Sequence, residues 1–244
     1  MKLSIIIPTL NEVNYLAATV TGARQNAEVQ PCEIIVADCG SVDGTVQLAH
    51  DFGVNLVQRQ PPLESRAAAL NRGAAEASGD VLLFLDADSL VPFHYDAAIR
   101  TSFQDPRVVG GAFEFALDGS ALGLRIVEII NRIRYRIWPQ YYGDQGIFVR
   151  AEVFRHVKVF PARGIMEASD FSRTLARHGR LKLLRQQMVT SSRRFLEGGV
   201  FRVLAKDIQI WLLDLLDRPT EQSAHAYREN NHLRGRKQLQ QRST

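Results

Sequence analysis

Two aspartates stand two residues apart in Asp86-Ala87-Asp88, directly after an apolar run. Paired carboxylates just past a buried strand can share one divalent cation with a ribose or a phosphate. Hard oxygen ligands suit Mg²⁺ or Mn²⁺, and such ions keep positions open for substrate phosphates. A plain surface turn, with Ser89 capping the next segment, is the competing reading. Asp38 closes a second apolar run. An ionised carboxylate only accepts hydrogen bonds, so Asp38 suits a base or ribose edge. Asn11 and Glu12 follow a first run ended by Pro8 and Thr9. Arg66 opens an alanine-rich stretch, placed to meet phosphate oxygens or to form a salt bridge at the rim. The second part of the chain adds Asp144, Glu167 and Asp170. Glu167 and Asp170 are three apart at the start of a predicted helix and share a face. A carboxylate there can take a proton from a hydroxyl nucleophile, or simply favour a helix N-terminus.

The elements that must position these residues alternate. Residues 3–7, 33–38, 54–57 and 80–86 read as strands. Residues 13–26, 45–52 and 65–77 read as helices, with Ser65 as N-cap of the last. This order predicts an α/β fold: a mostly parallel central sheet with helices on both faces. In such sheets the ligand crevice lies beyond the C-terminal strand ends. Three strands thus deliver Asn11/Glu12, Asp38 and Asp86/Asp88 to one rim. After residue 90 the order changes. A strand over 108–117, broken at Gly110-Gly111, precedes a helix over 121–137. A short strand at 147–149, a helix over 167–178 and small strands at 181–184 and 188–190 come next. A strongly apolar helix covers 200–217.

The chain has 244 residues, 45% apolar and 23% charged, which is ordinary globular usage. Cys32 and Cys39 form neither a framework nor a CxxC pair. There is no GxxxxGK[ST], no GxGxxG after the first strand, no GxSxG and no HExxH. A P-loop enzyme, a dinucleotide-binding enzyme, an esterase of that type and a zinc hydrolase are therefore disfavoured. Residues 1–8 do not read as a secretory leader, and no run is expected to suffice for a membrane-spanning helix. The expected location is cytoplasmic, in solution or at the inner face of the cell membrane. Charge is uneven: residues 1–171 carry −5 and residues 172–212 carry +7. The basic part lacks regular aromatic interleaving and the acidic part would repel a phosphate backbone, so nucleic acid is not expected as a partner. The stripes Ile126/Ile130/Ile133/Ile137 and Val200/Leu204/Ile208/Trp211 lie beside arginines. They suit an anionic membrane surface, packing on the domain, or a homodimer interface.

The segments Ser4-Ile5-Ile6-Ile7-Pro8-Thr9-Leu10-Asn11-Glu12, Val36-Ala37-Asp38-Cys39-Gly40-Ser41-Val42-Asp43-Gly44-Thr45 and Phe84-Leu85-Asp86-Ala87-Asp88 resemble family 2 glycosyltransferases. Tyr142-Gly143-Asp144-Gln145-Gly146-Ile147-Phe148-Val149-Arg150 and Ser191-Ser192-Arg193-Arg194-Phe195 resemble a small bacterial branch of them. The similarity runs from residue 3 to about residue 216. It implies a GT-A fold in one catalytic domain over 1–217. Residues 1–90 would form the nucleotide-binding half and 91–217 a smaller, antiparallel acceptor-side half. Residues 218–244 would be a basic, loosely held tail. The implied activity is inverting transfer from a nucleotide-diphosphate sugar, UDP-linked by preference, to a hydroxyl acceptor that includes lipid-linked candidates.

The resemblance also implies roles for single residues. Pro8, Thr9, Asn11, Glu12 and Asp38 would hold the nucleotide. Asp86 and Asp88 would hold ribose and the metal. A later Glu-Asp pair supplies the base in such enzymes. Here that stretch reads Met166-Glu167-Ala168, so Ala168 fills the usual Asp position. Glu167 is then the expected base, with Asp170 orienting it or an arginine, and Asp144 in reserve. Two alternatives stay open: a non-catalytic nucleotide-sugar binding protein, favoured by Ala168, and a sugar nucleotidyltransferase. The latter normally has a basic, glycine-rich loop after the first strand, which Pro8-Thr9-Leu10-Asn11-Glu12 is not.

Overall fold

The computed structural model describes residues 1–29, 32–58, 65–157, 160–161 and 165–216. The tail expected over 218–244 lies outside the described residues. The first half runs β1 (Leu3–Thr9), α1 (Leu16–Gln25), β2 (Cys32–Asp38), α2 (Thr45–Asp51), β3 (Asn55–Gln58), α3 (Arg66–Glu76) and β4 (Val81–Phe84). These strands are all parallel, in the spatial order β3-β2-β1-β4. Successive side chains of a strand point to opposite faces. Ile5 and Ile7 join the core with Leu16 and Val20 of α1, while Ile6 joins the core with Leu70 of α3. Both faces are covered, which is why β1 and β4 read as continuous apolar runs. The Ser65 side chain caps α3 by accepting from the Ala68 amide at 3.2 Å.

The second half is mixed. It contains β5 (Ser89–Leu90), α4 (Tyr95–Ser102), β6 (Val108–Leu117) and α5 (Leu122–Ile137). A 3-10 turn (Gly143–Gln145), β7 (Ile147–Arg150) and α6 (Ala151–Val157) come after it. Then come α7 (Glu167–Ala176), β8 (Arg180–Thr190), α8 (Arg193–Gly198) and α9 (Val200–Leu215). The sheet continues as β4-β7-β6-β8-β5. β7 is antiparallel to both β4 and β6, and β5 is antiparallel to β8.

Two expectations change here. β6 continues through Gly110-Gly111, where its pairing with β8 shifts register between Val108 and Gly110 without ending the strand, and the glycines serve close approach. A Cβ at Gly111 would stand 1.9 Å from the Lys182 carbonyl oxygen. The two small strands expected at 181–184 and 188–190 are one strand, β8, whose pairing with β6 shifts register between Phe113 and Glu114.

A ring cluster ties α7 to the end of β4. Phe84, the last residue of β4, meets Phe160 at 4.8 Å and Phe171 of α7 at 6.0 Å between centroids. Phe160 and Phe171 approach to 4.2 Å. Burying such a ring is worth roughly 2–3 kcal/mol. The first turn of α7 is thereby held over the rim where β4 delivers Asp86.

Candidate active site

The rim of β1, β2 and β4 is built from the strand ends outward. Asp38, the last residue of β2, is buried among hydrogen-bond donors. Thr9 donates to it at 2.9 Å, and the Gly40 and Ser41 amides donate at 2.9 and 2.8 Å. The Ser41 hydroxyl donates as well. The carboxylate thus shapes the β2–α2 loop as well as the rim. Asn11 follows β1 with a left-handed backbone, φ 59°. Its amide donates to Ser41 Oγ and its side-chain oxygen accepts from the Val42 amide. Pro8 lies within β1, paired with Ala37.

Beyond β4, Asp86 and Asp88 each meet an arginine from a distant part of the chain. Arg66, at the start of α3, binds Asp86 and also Glu167, the latter at 2.6 Å. Arg193, at the start of α8, reaches Asp88 at 3.0 Å and both Glu12 oxygens at 2.8 and 2.9 Å. Its guanidinium also lies over the Tyr15 ring at 4.2 Å. Burial pushes the Glu12 carboxyl up to about 7; Arg193 opposes the shift, and Asp88 and Asp86 add to it. Asp88 is raised for the same leading reason. Burial works against the charge on Arg66, but Asp86 and Glu167 outweigh it and raise its pKa above the ordinary value.

Asp144 lies in the 3-10 turn beside this group. Loss of hydration pushes its carboxyl up to about 6, with Asp86 adding to the shift and Arg134 and Arg194 opposing it. Gly143, next to it, lets Arg66 pass: a Cβ there would stand 2.3 Å from an Arg66 Nη atom.

The structure therefore brings together Glu12, Arg66, Asp86, Asp88, Asp144 and Glu167. Thr9, Asn11 and Asp38 form the adjoining wall on β1 and β2. Asp170 is set apart from Arg66. It pairs with Arg173, which reaches Asp214 of α9 at 3.1 Å. Ala168 is buried, its methyl in the core cluster that holds Phe84 and Phe171. Sequence reasoning missed Ser41, Gly143 and Arg193 as parts of the site. The signal for Arg193 was its place in Ser191-Ser192-Arg193-Arg194-Phe195, a segment read as a family resemblance with no role given to its residues.

Among the described residues no three His, Cys, Asp or Glu side chains form a ready-made metal cage. The donor set nevertheless fits Mg²⁺ or Mn²⁺. It offers oxygen ligands only, on Asp86 and Asp88. Magnesium in particular is usually held by one or two carboxylates, with water and substrate phosphate completing its shell.

Comparison with known proteins accords with this geometry. The glycosyl transferase family 2 model matches residues 4–160. An uncharacterised glycosyltransferase of Nostoc is 30% identical over 116 residues, covering 45% of this chain and 35% of that protein. The undecaprenyl-phosphate 4-deoxy-4-formamido-L-arabinose transferase of Yersinia enterocolitica is 28% identical over 162 residues, covering 62% and 48%. The chain spans about half or less of the length of the curated relatives it matches. Among solved structures, the mannosyltransferase of Pyrobaculum calidifontis in complex with GDP-Man and Mn²⁺ superposes with TM-score 0.66 at 18% identity, covering 93% of this chain and 68% of that one. Glucosyl-3-phosphoglycerate synthase of Mycobacterium tuberculosis, in complex with Mn²⁺ and UDP-Glc, gives TM-score 0.61 at 20% identity, covering 89% and 80%. At such identities the structures show the fold, which is GT-A-like. With its parallel first half, its acidic rim and a family match over residues 4–160, the chain belongs to glycosyl transferase family 2.

Proposed function

We propose that the protein transfers a sugar from a nucleotide diphosphate to a hydroxyl acceptor by a single inverting displacement, with Glu167 as the base. The observation that carries this reading is the Arg66 bridge. One guanidinium joins Asp86, at the nucleotide rim, to Glu167, the acid expected to face the acceptor. Asp38 and the Thr9–Asn11 segment would hold the nucleoside. Asp86 and Asp88 would hold ribose and a divalent cation, which when bound supplies positive charge to the leaving diphosphate. Arg66 and Arg193 lie where a diphosphate would compete for them. If the donor draws Arg66 away, Glu167 is released to accept a proton. The acceptor oxygen then bonds to the anomeric carbon, the bond to the diphosphate breaks, and the hydroxyl proton passes to Glu167.

A UDP-sugar is the first donor to test, with a GDP-sugar as the comparison. UDP-Glc and GDP-Man accompany the mycobacterial and Pyrobaculum structures. The Yersinia relative is named for a lipid-phosphate acceptor, and a lipid-linked hydroxyl is the acceptor class we infer. Assignment to a narrower branch rests on the Tyr142–Arg150 and Ser191–Phe195 segments. The test is product analysis with Mn²⁺ across donors and acceptors. Release of nucleoside diphosphate with a glycosylated product is expected. Pyrophosphate release would mean nucleotidyl transfer, and tight donor binding without turnover would mean a binding protein.

A further inference from the structure

We propose that α5 and α9 together form a surface that docks on an anionic lipid bilayer. Along α5, Leu122, Ile126, Ile129, Ile133 and Ile137 recur at intervals of three and four, which places them on one face. All are exposed, by 42% to 83%. This corrects the expected stripe, because Ile130 packs against the core while Ile129 faces outward. The opposite face of α5 already buries Leu124, Val127 and Tyr135. The outward isoleucines therefore have no packing role within the described fold.

α9 lies alongside α5 and runs in the same direction. Gly123 meets Val200 near both starts, and the Trp138 and Trp211 rings meet at 5.3 Å near the far ends. Phe201, Leu212 and Leu215 of α9 are exposed too. A 16-residue helix is about 24 Å long. Two such stripes side by side exceed the scattered apolar residues normal on a soluble surface.

Charge selects the occupant. Arg125, Arg132 and Arg136 line one flank of the α5 stripe, with side chains 39% to 50% exposed. Their partners are two carboxylates, Glu114 and Glu128, both buried. Arg202 and Lys206 lie on the outer flank of α9 and are exposed. An apolar ridge between basic margins suits the headgroup boundary of an anionic membrane, and the tryptophan pair at one end suits the same interface. A second copy would bring basic margin against basic margin. Residues 217–244 are a poor match to this surface, because they contain only Tyr227, Leu233 and Leu239 as large apolar side chains.

The same helices wall the acidic site. Arg134 of α5 lies over Tyr142 at 3.7 Å, Asp207 of α9 pairs with Arg194, and all three charges act on Asp144. Docking would hold the site about one helix diameter, ~10 Å, from the lipid surface. Delivery of a lipid-linked acceptor there rests on the transfer reading; the docking surface does not.

The experiment is vesicle flotation of the full chain without donor, on phosphatidylcholine vesicles and on vesicles that also contain phosphatidylglycerol. We expect about tenfold more protein on the anionic vesicles at low salt, falling as salt rises. Ile129→Glu combined with Ile133→Glu should abolish flotation while circular dichroism and nucleoside diphosphate binding stay unchanged. Arg202→Glu with Lys206→Glu should remove the preference for anionic lipid. Wild-type protein that stays with neutral and anionic vesicles equally, or floats with neither, overturns the proposal. So does a dimer in sedimentation that the isoleucine variant dissociates, which would assign the surface to a second copy.

Discussion

Two parts of the rim hold their acidic residues by different physics. In the first half, Asp38 is fixed by neutral donors of its own neighbourhood: the Thr9 and Ser41 hydroxyls and two backbone amides. At the seam between the halves, Glu12, Asp86, Asp88 and Glu167 are fixed instead by guanidinium groups. Arg66 of the first half reaches Glu167 of the second, and Arg193 of the second reaches Glu12 and Asp88 of the first. Hydrogen bonds from a closed loop form a prebuilt wall. Ion pairs at a partly exposed rim can be exchanged for a phosphate or a cation. On the proposed function, the nucleotide side is thus preformed and the catalytic side is held together by charges that a charged donor would redistribute.

The comparison can be broken first at its support. If α7 is positioned by the ring cluster, Phe171→Ala should cost about 3–5 kcal/mol of stability. It should also lower turnover in whatever protein remains folded, while the Asp38 wall keeps its nucleoside affinity. Denaturant melts and nucleoside binding measure the two effects separately. A smaller effect is expected at Gly143. Gly143→Ala places a methyl group against the end of the Arg66 side chain, which can move, so the fold should tolerate it. Arg66 loses its bridge, and donor affinity and transfer should drop by about 10- to 100-fold, comparable to losing a charged hydrogen bond. Unchanged kinetics would show that the bridge has no part in donor handling.

The smallest effect concerns pH. Asp144 has a folded pKa of about 6 against an ordinary 3.8. Between those values the folded protein binds more protons than the unfolded chain, so stability falls as pH rises through that window. Below it both states are protonated and nothing is lost. Asp144→Asn, which mimics the protonated acid, should therefore raise stability at pH 8 by on the order of 1 kcal/mol and leave it unchanged at the acid end. Thermal melts across that range check the sign. An equal change at both ends would contradict the loss of hydration at Asp144 and its crowding by Asp86.

Sequence legibility followed the same division. β1, β2 and β4 were readable because each is a short, largely buried apolar run, and β3, half exposed, was readable from its place between two helices joined by parallel crossovers. The rim acids were readable because strand order alone puts Asp38, Asp86 and Asp88 at one edge. The second half hid more. Ser89–Leu90 is too short to show a period, and α4, α6 and α8 are helices of six to eight residues. Gly110-Gly111 looks like a break until β8 is seen to pass against it. The antiparallel insertion of β7 between β4 and β6 has no local signature. Glu167 could be singled out by its place before Ala168, but its contact with Arg66 spans 101 residues, and no spacing rule reveals it. Asp170 shares the helical face, yet an arginine three residues on claims it.

The central claim is that Glu167 takes the acceptor proton once the donor has drawn Arg66 away from it. The most direct measurement is the transfer rate of Glu167→Gln with an identified acceptor, alongside donor affinity by calorimetry, with Asp170→Asn and Asp144→Asn as companions. Loss of a general base should slow transfer by about 10²–10⁴-fold with donor affinity retained. The account predicts that loss for Glu167→Gln and a much smaller one for Asp170→Asn. A Glu167→Gln enzyme within about threefold of wild type, well short of a general base's worth, while Asp144→Asn or Asp170→Asn collapses with donor binding intact, would contradict it.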